Sequence, residues 1–327
     1  MTEESNPTAA ETRSVGRGEV FAALAASAYG SAYVATAFAL RSFEPLAAAA
    51  LRSLFAAVAL AGVLSVARGR RAMATARGHR ATGWTRRAVH LLVLGALGGA
   101  IFLVAMTLAV AGVGATIASF VAGLYAVLAA VIAPVVLRER LRPQALVGFI
   151  IALAGTALLA ELDVGGGSIV GIGWGLVGAA SFALFLVLSR KWGRDDGLEG
   201  LAIALATMTV AAIVLGLIVI ATQPASLIPT AIAPEAAAAI AWLVVAGAGG
   251  QALAAASVKL IPASRSAAFL LLNPIVAAIL SFLLLGERPS GLQVLGGLLV
   301  LVGIAAATLG PRTFRRPISG SVASRGA

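Results

Sequence analysis

The chain has 327 residues, of which 60% are hydrophobic and only 11% charged, and its mean hydropathy is +1.01. That composition excludes a soluble two-domain protein, because apolar runs of about 20 residues recur along the chain, each long enough to cross a bilayer as a helix. The net charge of +11 does not argue for nucleic acid as a partner. The basic residues stand between apolar runs and in the tails, where they set orientation in a membrane.

In chain order, residues 1–18 are polar, mixed in charge and read as a disordered cytoplasmic tail. Ala26-Ser27-Ala28 resembles a leader cleavage site, but the apolar run continues to Leu40, too long for the core of a signal peptide. Ten spans are expected, at about 19–40, 45–67, 89–110, 114–137, 144–160, 169–189, 198–221, 236–257, 265–285 and 290–310. With the N-terminus inside, all 24 Lys and Arg except Arg41, Arg52 and Arg288 fall in cytoplasmic segments or at their edges. The segment 68–87 alone holds seven arginines, whereas 161–168 and 222–235 hold no Lys or Arg. This asymmetry predicts an N-in, C-in, all-α membrane protein with a basic cytoplasmic tail at 311–327.

Residues 116–159 recur loosely at 264–307. A shift of 148 residues lays Glu139-Arg140 on Glu287-Arg288, Gly148 on Gly296 and Gly155 on Gly303. Two five-helix repeats follow, 19–160 and 169–310. An odd number of spans per repeat inverts the second copy. Inverted repeats place a substrate site near the midplane where the halves meet, which argues for a transporter. Gly171, Gly175 and the paired glycines at 148/155 and 296/303 are spaced for close helix packing, the reading preferred here to moving surfaces.

These residues resemble the EamA-type branch of the drug/metabolite transporter superfamily. The resemblance rests on Asn273-Pro274-Ile275-Val276, Leu285-Gly286-Glu287-Arg288 and Gly296, with Pro45 and Leu51-Arg52 in span 2. The first repeat departs from the pattern, having Ala126 opposite Pro274 and Arg138 before Glu139. The resemblance implies a ten-helix exporter or exchanger of small metabolites such as amino acids, with spans 1, 3, 4, 6, 8 and 9 along the path. It also implies a general arginine at Arg52, favouring a structural or gating role over selectivity.

Polar side chains within spans need partners or water, so they are the candidate cavity residues. In span 1, Tyr29, Tyr33 and Thr36 share one helical face. A mid-membrane Tyr29 either faces a cavity or bonds another helix, and Tyr33 reads as closer to the interface. Tyr125 and Asn273 superpose under the 148-residue shift, as an inverted-repeat site requires. Pro274 removes a backbone donor and predicts a helix break. Gly171, Trp174, Gly178 and Ser181 fall on one stripe of span 6, although Trp174 also suits an interfacial belt. Gln251 is a costly amide unless paired. Arg52 has three readings: a counter-ion for a substrate carboxylate, a partner of Glu44, or a side chain that snorkels to the interface. Glu139 and Glu287, each beside an arginine, read as local ion pairs with a gating or structural role.

The chain has no cysteine and only His79 and His90, so neither a metal site nor a cofactor is expected. The spans hold no central Asp, Glu or His for a proton relay, which favours facilitated exchange over proton coupling. An intramembrane lipid-modifying enzyme would need a nucleophile and base, or a metal, at one depth, and the sequence supplies no such cluster. A pore or receptor is the remaining alternative. The expected partners are a small-molecule substrate and the lipid bilayer, with no nucleic acid. The expected location is the plasma membrane, in a bacterium the inner membrane. No feature of the sequence assigns an oligomeric state.

Overall fold

The fold was obtained as a computed structural model, which describes residues 9–72, 84–137, 143–159, 167–196, 200–227, 229, 231–261, 269 and 271–308. Among these, every regular element is helical: α1 (Ala9–Ala39), α2 (Pro45–Ala72), α3 (Trp84–Gly95), α4 (Phe102–Leu137), α5 (Pro143–Leu159), α6 (Gly167–Asp196), α7 (Gly200–Thr222), α8 (Pro234–Leu260), α9 (Leu272–Leu280) and α10 (Gly291–Thr308). A π-helical turn, Ala96–Ile101, joins α3 to α4, and a second, Ser281–Leu285, ends α9.

Among the described residues, six helical stretches are long and apolar enough to cross a membrane, and three shorter helices are also apolar. Large apolar side chains face outward, including Val58 at 64% exposure and Leu217 at 62%. Such a surface suits lipid, since soluble proteins rarely expose apolar patches this extensive. One stretch, Thr85–Leu137, runs for 53 residues. Drawn straight at 1.5 Å per residue it would reach about 80 Å, more than twice the hydrocarbon thickness. It is broken at Gly114, whose φ of 79° and ψ of 170° are non-helical.

The N-terminal tail departs from expectation. Residues 9–17, read from sequence as part of a disordered tail, continue α1. Extending an existing helix needs no new nucleus, and the Ala, Glu and Arg residues there are good helix formers.

The packing is interleaved. α1 lies along α8 and also contacts α9, while α6 lies along α4; α2 packs on α7 and α5 on α10. The first helix of each expected repeat therefore rests on the other repeat. At the α5–α10 contact the four paired glycines meet. A Cβ added to Gly148 would stand 2.5 Å from the carbonyl oxygen of Gly303, and one added to Gly155 would stand 2.6 Å from that of Gly296. Gly148 with Gly303 and Gly155 with Gly296 define an antiparallel crossing in which backbone touches backbone. In lipid the attraction between helices comes from such close packing.

Gly155→Ala should lower stability by about 1–3 kcal/mol, because the atoms in the way are backbone and cannot rotate aside. Gly216→Ala, with nothing within 4 Å of the added carbon, should be neutral or slightly stabilising. Thermal unfolding of the two variants in the same detergent measures the difference.

Candidate functional site

The break at Gly114 leaves the next half of α4 with free backbone N–H groups at its start, as at any helix N-terminus. Glu287, from beyond the end of α9, fills that vacancy. Its Oε1 accepts the N–H of Ala115 at 2.8 Å and its Oε2 the N–H of Thr116 at 3.0 Å. The sequence reading of Glu287 as a local ion pair is thus replaced by a cap on a distant helix. A carboxylate there gains both hydrogen bonds and the positive end of the helix dipole. Two glycines make the contact possible. Gly114 occupies a backbone region open essentially to glycine alone, and a Cβ on it would stand 2.7 Å from Glu287 Oε1. Gly286 turns the chain out of the π-helical turn at φ 70°, ψ 18°. Glu139, the repeat counterpart of Glu287, lies outside the described residues.

This cap ties α9 to α4, and each carries one of the two superposed polar candidates. Asn273 sits in the first turn of α9, with α1 directly against it: a Cβ on Gly30 would lie 2.5 Å from the Asn273 carbonyl oxygen. Asn273 is buried and its Oδ1 has no hydrogen-bond partner. Pro274 is also in that first turn, where a missing N–H costs little.

Tyr29 and Tyr33 of α1 each lie within electrostatic reach of Tyr125 of α4, and Arg52 of α2 lies within reach of Tyr33. All four lie deep in the bundle yet keep intermediate accessibility. Arg52 has the Tyr33 phenol within electrostatic reach, while Glu44, one suggested partner, is exposed. Tyr33, expected nearer the interface, belongs to the same cluster. An aromatic wall backs Tyr125, with Phe182 of α6 edge-on at 5.1 Å and Phe102 and Phe185 stacked on Phe182 at 4.5 and 5.4 Å.

The other candidates separate. Ser181 is buried and donates to the carbonyl of Leu97 at 2.7 Å, satisfying the π-helical turn before α4. Trp174 is 38% exposed. Gly171, Gly175 and Gly178 turn toward α4, where added carbons would meet Val113, Val121 and Met106. Trp174, near the start of α6, thus stays exposed while the glycines and Ser181 of its expected stripe are packed. The side chain of Gln251 is outside the described residues, but its neighbour Gly250 packs against the ring of Tyr29, 2.8 Å from a would-be Cβ to Cε1. Phe182 and Gly114 were missed in the sequence. The signals were an aromatic beside Ser181 and a glycine at the seam between two apolar runs.

Two matched stretches of the chain decide the family. Residues 16–160 and again 169–309 match the EamA-like transporter family. The chain belongs to that family. As an EamA-like protein it is an integral membrane transporter of the drug/metabolite type, a family of transporters and not of enzymes. No curated protein matches the chain. A solved chain described only as "Crystal structure of protein" matches with a TM-score of 0.57 and 20% identity, covering 91% of this EamA-like chain and 97% of its own length. At that identity the likeness shows a shared fold.

Removing the carboxylate by Glu287→Ala should cost about 1–2 kcal/mol, in the range of a lost helix cap, and Gly114→Ala about 1–3 kcal/mol from its backbone region. Because both changes dismantle one contact, their combined cost should fall short of the sum. A double-mutant cycle on thermal stability measures this, and strict additivity would show that the two residues act separately.

Proposed function

We propose that this EamA-like protein is a ten-span, N-in/C-in secondary transporter of the plasma membrane, built of inverted repeats 19–160 and 169–310. It would export or exchange a small amphipathic metabolite, an amino acid or a related compound, by alternating access. The observation that carries the reading is the deep, partly accessible cluster of Tyr29, Tyr33, Arg52 and Tyr125, with the unpaired Oδ1 of Asn273 on the adjoining helix. Unpaired buried acceptors are rare in native proteins, and a ligand is one explanation. Each group suits part of an amino acid: Arg52 a carboxylate, Asn273 Oδ1 an ammonium, and the Phe102–Phe182 wall an apolar side chain. Support for inversion comes from the antiparallel glycine crossing of α5 and α10, since two repeats related by an axis in the membrane plane bring their fifth helices together in that sense. The break at Gly114 supports counting Thr85–Leu137 as two spans.

Counterflow in proteoliposomes loaded with mixed amino acids and small amines tests the proposal. Saturable exchange of at least one amine-bearing compound, independent of an imposed pH gradient, is expected. Asn273→Ala should raise its half-saturation concentration about three- to tenfold, the loss of one hydrogen bond. Absence of exchange with every compound, or a variant indistinguishable from the parent chain, contradicts the proposal.

A further inference from the structure

A groove of about 390 Å³ opens laterally between α1, α8 and α9, away from the polar cluster. Its walls are Val34 and Phe38 of α1, Trp242 and small residues of α8, and Leu280 and Leu284 beside the second π-helical turn. The indole and hydroxyl along it are already occupied. Trp242 Nε1 donates to Ser31 Oγ at 2.9 Å, and that hydroxyl donates to the Ala28 carbonyl at 2.8 Å. What remains is an apolar channel of the chemistry that takes an acyl chain.

Its mouth is charged. Glu235, in the first turn of α8, lines the groove. Arg41, in the turn after α1, stands 3.9 Å from its carboxylate and 4.3 Å over the Phe38 ring. Both side chains are about half exposed. At 3.9 Å the pair is looser than a charge-assisted hydrogen bond, normally 2.7–2.9 Å, so each retains capacity for a ligand. Ends of apolar helices lie at headgroup depth. An anion with no cation would oppose Glu235, and a cation with no anion would oppose Arg41. A headgroup bearing both charges satisfies the two.

We propose that this groove is a binding site for one ethanolamine-type phospholipid. An acyl chain fills the apolar channel, the phosphate meets the Arg41 guanidinium, and the primary ammonium donates to the Glu235 carboxylate. A quaternary choline ammonium has no N–H to donate, which makes the site selective between the two common zwitterionic headgroups.

The test uses the full chain reconstituted in phosphatidylcholine vesicles, with a minor fraction of one brominated phospholipid carrying an ethanolamine, choline or glycerol headgroup. The contribution of Trp242 is the difference in fluorescence quenching between the parent chain and Trp242→Phe. Brominated phosphatidylethanolamine should quench Trp242 at about a three- to fivefold lower mole fraction than the other two, as expected for a partly exposed charge pair. Glu235→Gln and Arg41→Gln should each abolish that preference, and Ala238→Leu, which narrows the channel, should weaken quenching by all three. Equal quenching by the three lipids, stronger quenching by phosphatidylglycerol, or an ethanolamine preference that survives Glu235→Gln would overturn the proposal. Thermal unfolding of each variant checks that the fold is retained.

Discussion

The Glu287 carboxylate on the broken start of α4's second half is the contact on which the rest of the bundle depends. A helix that begins at Ala115 exposes N–H groups that it cannot satisfy itself. A carboxylate brought among them needs donors in return. Each defect resolves the other, across 171 and 172 residues of sequence. The contact also fixes the spacing between α4 and α9, and hence between Tyr125 and Asn273. Position, more than exotic chemistry, is what this site offers: ordinary tyrosines, one arginine and one amide on helices that a cap ties together.

Around that contact the bundle is held by proximity of backbone. Four glycines bring α5 and α10 together, and three more let α6 lie against α4. Helices in lipid gain little from burying apolar surface, so small residues at crossings contribute stability through dispersion and short-range contacts. The exchange of α1 and α6 between the two halves interlocks them. In the proposed transport cycle, motion then means one interleaved set sliding on the other while the α5–α10 crossing stays fixed.

Much of this was legible in the sequence because membrane helices are written in long apolar runs, and the glycines at 148, 155, 296 and 303 coincide under one shift. The helical segments from α2 onward fall where those runs stand. Helix continuation into residues 9–17 was less legible, since polarity reports where lipid ends and not where helix ends. Glu287 was misread because its neighbour Arg288 suggested an obvious partner, whereas its hydrogen bonds go to backbone donors that have no side-chain signature. Trp174 shared a spacing with Gly171 and Ser181 but is exposed where they are packed. Convergence of Tyr33 with Arg52 and Tyr125 depends on how three helices are rotated about their axes, which near-uniform Ala/Leu/Val sequences specify weakly.

The central claim is that the Tyr29–Tyr33–Arg52–Tyr125 cluster lines a substrate chamber reached from both sides of the membrane in turn. The chain has no cysteine, so a single Tyr125→Cys substitution reports on that position alone. Its modification by a small, membrane-impermeant thiol reagent, applied from each side of sealed vesicles, is the most direct measurement. The account expects reaction from both sides, slowed by any compound that exchanges in counterflow. A thiol that reacts from neither side, or reacts at a rate no transported compound changes, would contradict it.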